Sequence, residues 1–292
     1  MDIAARLAEL NLPPLPDPLP GPTVDSHTHL DSTREYSGLD VETNLAAARA
    51  VGIDRLVEVG CDVPSSRVAV EIARRHPEVV AAVAMHPNDA ARSTTLDADI
   101  ATIDELAADP VVRAVGETGL DHYRTTDERL QSVQEESFRA HVEIARRRGL
   151  TLVIHHRDAH DDLLRVLHEV ELPERTVMHC FSGDADFARD CLAAAGAQGM
   201  WLSFPGVLTY QNAPYLREAL QVVPRERLLV ETDAPYLTPL PARGKANAPY
   251  LLPHTLRFMA DQLDSSLDEL CLQVRSNTFE AFGGSWGEDD HA

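Results

Sequence analysis

The sequence predicts an α/β protein, a single-domain (β/α)8 TIM barrel, on three observations. Eight short runs rich in apolar and β-branched residues alternate with longer stretches of helical period. The runs begin roughly 25 to 40 residues apart, the length of one strand–helix unit in a barrel of ~250 residues. Several helical stretches end in a glycine just ahead of the next run, at Gly52, Gly149 and Gly196, as a left-handed C-cap requires. A doubly wound sheet would usually stop at five or six strands.

Asn11 to Pro22, N-L-P-P-L-P-D-P-L-P-G-P, cannot be regular helix or strand, because proline removes amide donors and fixes φ, so residues 1–22 form a proline-rich lead-in. The candidate strands then follow in order: T-V-D-S-H from Thr23, R-L-V-E-V-G from Arg55, V-V-A-A-V-A-M-H from Val79 and V-V-R-A-V-G-E from Val111. T-L-V-I-H-H from Thr151, R-T-V-M-H-C from Arg175, G-M-W-L-S-F from Gly199 and R-L-L-V-E-T-D from Arg227 complete the eight. Between them lie helical segments such as Val41–Ala50, Ser65–His76 and the long Asp127–Arg148. The barrel domain is expected over residues 23–284, with no internal repeat, and a flexible tail over 285–292.

Composition bounds the function. The 292 residues are 44% hydrophobic and 25% charged, as in a soluble globular protein. No apolar run approaches the ~20 residues of a membrane span, and the N-terminus has no secretion signal, which places the protein in the cytoplasm. Cys61, Cys180, Cys191 and Cys271 lie far apart with no C-x-x-C spacing, arguing against a structural zinc knuckle or a disulfide framework. The formal net charge is −21, a field that repels a polyanion at long range, so any nucleic acid must be held locally. Of 26 basic residues only Lys245 is lysine, a pattern of coding bias more than of phosphate binding.

Chemistry in such a barrel is built at the C-terminal strand ends. Here the apolar runs end repeatedly in metal-ligand residue types: His27 and His29, Glu117, His155, His179 and Asp233. A lone histidine or carboxylate there is usually structural, but six on five strands converge without further assumption. In H-x-H, residues i and i+2 share a strand face, so His27 and His29 can both point at one ion. The two oxygens of Glu117 can bridge two cations, with His155 and His179 completing a second site.

These residues sit in blocks that resemble the TatD family of metal-dependent deoxyribonucleases, within the amidohydrolase-type barrels. The blocks are D-S-H-T-H-L-D, M-H-P, G-E-T-G-L-D-H-Y-R, I-H-H-R-D-A, M-H-C-F-S-G, E-T-D-A-P-Y-L and R-G-K-A-N-A-P, spread from Val24 to Phe282. The resemblance implies that His27, His29, Glu117 and Asp233 hold one divalent ion while Glu117, His155 and His179 hold the other. It also implies hydrolysis of DNA phosphodiester bonds, at single strands or 3′ ends, with two divalent ions (Mg2+, Mn2+ or Zn2+) and with no obligatory protein partner. A metal-bridging hydroxide would attack phosphorus, with Glu117 bridging and Asp233 as proton acceptor.

Two positions depart from the family pattern. Asn88 stands where a second histidine is usual, and Ala246 and Ala248 replace a basic and an acidic residue in the loop after the eighth strand. For substrate contact the candidates are Arg124 and Arg157 as phosphate forks, Arg243 and Lys245 flanking a mobile glycine, and Tyr123 as a stacking ring. Asp25 is expected to orient the His27 or His29 ring, and Asp31 either to do the same or to serve in a turn or cap. His156 should point away from the barrel axis, His86 lines the pocket without ligating, and Cys180 should face outward. The alternatives are a binuclear hydrolase of a small amide, lactone or phosphotriester, or a catalytically silent scaffold barrel.

Overall fold

A computed structural model describes residues 2–283 and residue 286. The predicted barrel is present, with eight parallel strands hydrogen-bonded in sequence order, β1 to β8. They are β1 (Thr23–Thr28), β2 (Ile53–Val59), β3 (Val79–Val83), β4 (Val112–Asp121), β5 (Thr151–Arg157), β6 (Arg175–Met178), β7 (Gly199–Phe204) and β8 (Leu228–Val230).

Helix α1 (Ile3–Glu9) precedes the barrel, so the lead-in over residues 1–22 begins with a helix whose Leu7 is buried. The helices α2 (Leu30–Ser37), α3 (Val41–Ala50), α4 (Val63–Arg75), α5 (Pro87–Ala90) and α6 (Leu96–Leu106) accompany the first three strands. The outer ring continues with α7 (Glu128–Arg148), α8 (His160–Glu169), α9 (Ala185–Ala195), α10 (Pro214–Val222), α11 (Leu252–Gln262) and α12 (Leu267–Phe282). Aspartates start several of them: Asp40 accepts from Thr43 N at 2.8 Å and Asp62 from Ser65 N at 2.8 Å, covering donors a helix end cannot pair internally. Gly149 closes α7 in the left-handed conformation, φ 66°.

The barrel interior is filled by Val24, Val57, Val59, Val80, Ala82, Ala114, Val153, Val177, Trp201 and Leu229. These small and β-branched side chains pack from alternating strand positions, each valine contributing roughly 1.5–3 kcal/mol by leaving water. Phe282 and Trp286 extend this cluster, with Trp286 edge-on to Phe282 at 6.1 Å and only 2% exposed. Trp286 is therefore a packed exception to the flexible tail expected over 285–292; the other residues of that tail lie outside the described ones. A second, larger cluster fills the space between sheet and helices.

The β1/β8 seam is closed differently from the rest. Thr28 and Ala234 form an isolated parallel bridge, and Asp233 N donates to His27 O at 3.0 Å. The buried Asp25 carboxylate accepts from Thr232 N at 2.9 Å, Thr232 Oγ1 at 2.5 Å and His27 N at 3.3 Å. Asp25 thus joins the two strand ends through the backbone rather than orienting a histidine ring, as the sequence suggested.

Candidate metal centre

All six strand-end residues come together at the C-terminal mouth. His27 Nε2 lies 3.6 Å from Glu117 Oε1 and 4.0 Å from Asp233 Oδ1, and His29 Nε2 lies 3.5 Å from each of those oxygens. On its other oxygen Glu117 Oε2 is 2.9 Å from His179 Nε2 and 3.0 Å from His155 Nδ1. The His27 and His179 rings stack, with centroids 3.7 Å apart.

Local sequence explains the convergence. A register shift between Asp25 and Thr28 turns the end of β1 so that His27 and His29 both face the axis. A second shift between Val115 and Thr118 does the same for Glu117 on β4. Gly116 permits it: a Cβ there would sit 2.4 Å from Val153 Cβ and 2.7 Å from Val153 O, closer than atoms can approach. His155 follows Val153 by two positions on β5 and so takes the interior face, while Arg157, two further, reaches the rim.

The charges are set by what surrounds them. Burial opposes ionisation of Glu117, yet the neighbouring His179 and His86 imidazoles and the hydrogen bonds from His155 and His179 hold its carboxyl well below the usual range. Burial also opposes a charged His179, but Glu231 and Glu117 raise its pKa well above the ordinary value. Burial, aided by His179, lowers the pKa of His27.

Several supporting groups were not evident from the sequence. Glu231, with no exposed surface, accepts from His179 Nδ1 at 3.1 Å, leaving Nε2 for the centre. His29 Nδ1 donates to Val59 O at 2.8 Å, which likewise frees its Nε2. Asp121 Oδ2 faces His155 Nε2 at 3.6 Å and is itself held by Asn88 Nδ2 at 2.8 Å. The departure at Asn88 is therefore absorbed into a buried bridge, since Thr125 Oγ1 also donates to Asn88 Oδ1 at 2.9 Å. Buried Glu58, its pKa pushed up to about 8 by burial and by Asp31, accepts from Leu30 N at 2.7 Å and anchors the turn that carries His29. Cys61 donates its S–H to Glu117 Oε1 at 3.5 Å, and burial pushes its thiol up to about 12. The signal for Glu231 was its place two before Asp233; for the others it lay in contacts between strands.

Other expectations resolve individually. His86 lines the pocket, its Nε2 4.0 Å from Glu117 Oε2 and its Nδ1 accepting from Asn88 N. His156 faces away and packs edge-on against His160 at 4.4 Å. Cys180 does not face outward: β6 ends at Met178, Cys180 adopts φ 46°, and its sulfur groups with His179 and Glu231 donor atoms within 4.8 Å. Alternation ceases to predict direction once the strand has ended. Asp31 Oδ1 accepts from Ser32 N within the first turn of α2. The Arg157 guanidinium lies over the Tyr123 ring at 3.9 Å and that of Arg243 over Tyr210 at 4.2 Å. Arg124 is exposed on the loop after β4. Lys245 Nζ is engaged by Asn11, 2.9 Å from its Oδ1, which draws it toward the lead-in segment.

The residues fit divalent cations. Neither ring nitrogen of buried His27 has a hydrogen-bond partner, a costly state for a buried imidazole, and a cation at the nitrogen that carries the lone pair would relieve half of it. The 3.5–4.0 Å separations around Glu117 Oε1 and Asp233 Oδ1 are too long for hydrogen bonds. They approach the edge of a coordination tetrahedron, about 3.4 Å for bonds of about 2.1 Å.

Imidazoles and carboxylates gathered at this end of a parallel barrel are the ligand set of a metal-dependent enzyme. Comparison with known proteins is more specific. A family model described as TatD related DNase matches residues 24–283. A Mycobacterium tuberculosis protein named as the metal-dependent hydrolase TatD is 42% identical over 266 residues, covering 90% of this chain and 98% of its own. A Cronobacter turicensis protein named as a 3′-5′ ssDNA/RNA exonuclease, TatD, is 37% identical over 238 residues, 79% of this chain and 87% of its own. The crystal structure of YJJV, a TatD homologue from Escherichia coli, superposes with a TM-score of 0.80 at 24% identity, over 89% of this chain and 97% of that one. This chain belongs to the TatD family of metal-dependent hydrolases.

Proposed function

We propose that this chain is a deoxyribonuclease that removes nucleotides from unpaired 3′ ends of DNA with the help of two divalent cations. The observation that carries the reading is Glu117, one carboxylate whose two oxygens face two different histidine groups. His27, His29, Glu117 and Asp233 would hold one ion, and Glu117, His155 and His179 the other. When bound, the pair would polarise a phosphodiester and supply an ionised water near neutral pH. Four imidazoles with two carboxylates favour Mn2+ or Zn2+ over Mg2+ by ligand type.

The remaining work falls to this chain's own groups. Burial raises the cost of charge on Asp233, but the nearby His29, His179 and His27 imidazoles keep the carboxyl below its usual value, ionised and able to accept a proton. Glu231 accepts from His179 Nδ1 and fixes that ring, and the Asp121 carboxylate, itself held by Asn88, faces His155, so much of the centre is positioned before substrate arrives. Arg157, Arg243 and Arg124 stand on the rim as candidate phosphate contacts, with Tyr123 beside Arg157; Lys245 is tied to Asn11. The relative named as a 3′-5′ exonuclease supports the polarity.

The test is incubation of 5′-labelled single-stranded DNA with the purified protein, with and without EDTA and with Mn2+ restored. Stepwise shortening that EDTA abolishes and Mn2+ restores is expected. Turnover of small esters or amides with no shortening of DNA would overturn the reading.

A further inference from the structure

Leaving an aromatic ring in water forgoes the burial of up to ~150–250 Å² of mostly apolar surface. Among the described residues four aromatic side chains are exposed, Tyr36, Tyr123, Tyr215 and Tyr236. Each lies in a segment that follows the C-terminal end of a strand: Tyr36 in α2 after β1, Tyr123 after β4, Tyr215 in the first turn of α10 after β7, and Tyr236 after β8. A single exposed tyrosine needs no explanation, but four confined to the face that carries the metal centre do.

Two of them connect directly to the centre. Tyr236 lies edge-on to His29 with ring centroids 6.2 Å apart, and Tyr36 lies edge-on to Tyr236 at 5.8 Å. The rings form a continuous aromatic path from a metal-ligand candidate out to solvent, with Tyr236 44% and Tyr36 66% exposed.

We infer that the Tyr36–Tyr236 pair is a stacking platform for the nucleobase of the nucleotide whose phosphate sits at the histidine–carboxylate centre. The inference rests on the nuclease reading and deepens it by assigning the base a site. Charge favours this occupant: at a net −21 the field of the chain does not draw in a phosphate backbone, whereas stacking on a tyrosine face is indifferent to that field. The rim cations are arranged in keeping with it, since Arg157 and Arg243 are laid over Tyr123 and Tyr210 as composite aromatic–guanidinium surfaces. A base inside a duplex has both faces covered by its neighbours, so the platform accepts only an unpaired base. It thereby selects frayed or single-stranded ends through stacking rather than through hydrogen-bond readout.

The experiment compares two oligonucleotides that differ at the nucleotide being removed, one carrying thymine and one abasic. Wild-type protein loaded with Mn2+ is expected to favour the thymine-bearing end in kcat/KM by about 5- to 150-fold, the range for one stacked base. Tyr36→Ala should collapse that ratio toward one, and Tyr36→Phe should keep it; Tyr36 is exposed enough that neither change threatens the fold. A ratio unaltered by Tyr36→Ala, or an equal loss on both oligonucleotides, overturns the platform. If the wild-type protein cleaves no oligonucleotide the nuclease reading fails, and equilibrium binding of thymidine 5′-monophosphate to the metal-loaded protein then decides the platform separately. About fivefold or greater weakening by Tyr36→Ala supports it, and equal binding by the two proteins rejects it.

Discussion

Asp25 is the residue whose removal should connect the barrel seam to the metal centre most visibly. Its carboxylate accepts three bonds from Thr232 N, Thr232 Oγ1 and His27 N, and no water reaches the site, since Asp25 has no exposed surface. Asp25→Ala strands these buried donors at about 1–3 kcal/mol each. The sum is partly offset because the lost carboxyl was itself costly to ionise, its pKa raised by burial to about 7. A net destabilisation of about 3–5 kcal/mol follows, or a fall in Tm of about 5–8 °C for a domain of this size. Because Thr232 precedes Asp233 and His27 is a ligand candidate, the two halves of the first site should also lose alignment, weakening metal binding by about 10–100-fold. Asp25→Asn keeps one acceptor and should cost less than half as much. Thermal unfolding by circular dichroism, with and without EDTA, and chelator competition for Mn2+ read both effects. A Tm within about 2 °C of wild type together with unchanged metal affinity would refute the seam argument.

Other outcomes are equally direct. Asp233→Ala should lower kcat by about 10²–10⁴-fold while leaving the circular dichroism spectrum intact, and near-wild-type turnover in metal-supplemented buffer would remove its proton-accepting role. Glu231→Gln leaves the His179 Nδ1 proton a weaker acceptor and should reduce metal affinity by about 10–100-fold, measured by the same competition. His141 is buried and neutral, its Nδ1 donating to Ser137 O and its Nε2 accepting from Met85 N, with burial lowering its pKa to about 4. The unfolded chain takes up that proton below about pH 6.5, so the stability His141 confers is full above this and declines as pH falls toward about 4, by about 3 kcal/mol in all. His141→Gln should flatten urea-unfolding stability over that window; an unchanged slope would exclude the residue as the source.

The strand ends were legible because the βα repeat brings every one of them to one mouth, and alternation decides which residue faces the axis except where register shifts interrupt it, at His27 and Glu117. His155 beside Val153 shows this at its simplest. Legibility failed where a side chain's meaning depends on a partner from another strand. Glu231, Asp121 and Glu58 look like ordinary strand carboxylates until His179, Asn88 and Leu30 are seen against them. Asp25 was assigned to a histidine ring because nothing local in the sequence announces that β8 is short and needs a side-chain clasp. Cys180 was misdirected for a different reason: alternation was extended past Met178, where the strand stops. Lys245, alone among arginines, pointed toward substrate, yet its partner Asn11 lies in the lead-in, distant in sequence and adjacent in space.

The central claim is that one carboxylate, Glu117, organises two cation sites. Metal analysis of the purified protein after saturation with Mn2+ and removal of free ion tests it most directly, in wild type and in Glu117→Ala side by side. Two ions per chain in the wild type and loss of both in the variant are predicted. A wild-type chain holding a single ion, or a variant that still holds two, would contradict it.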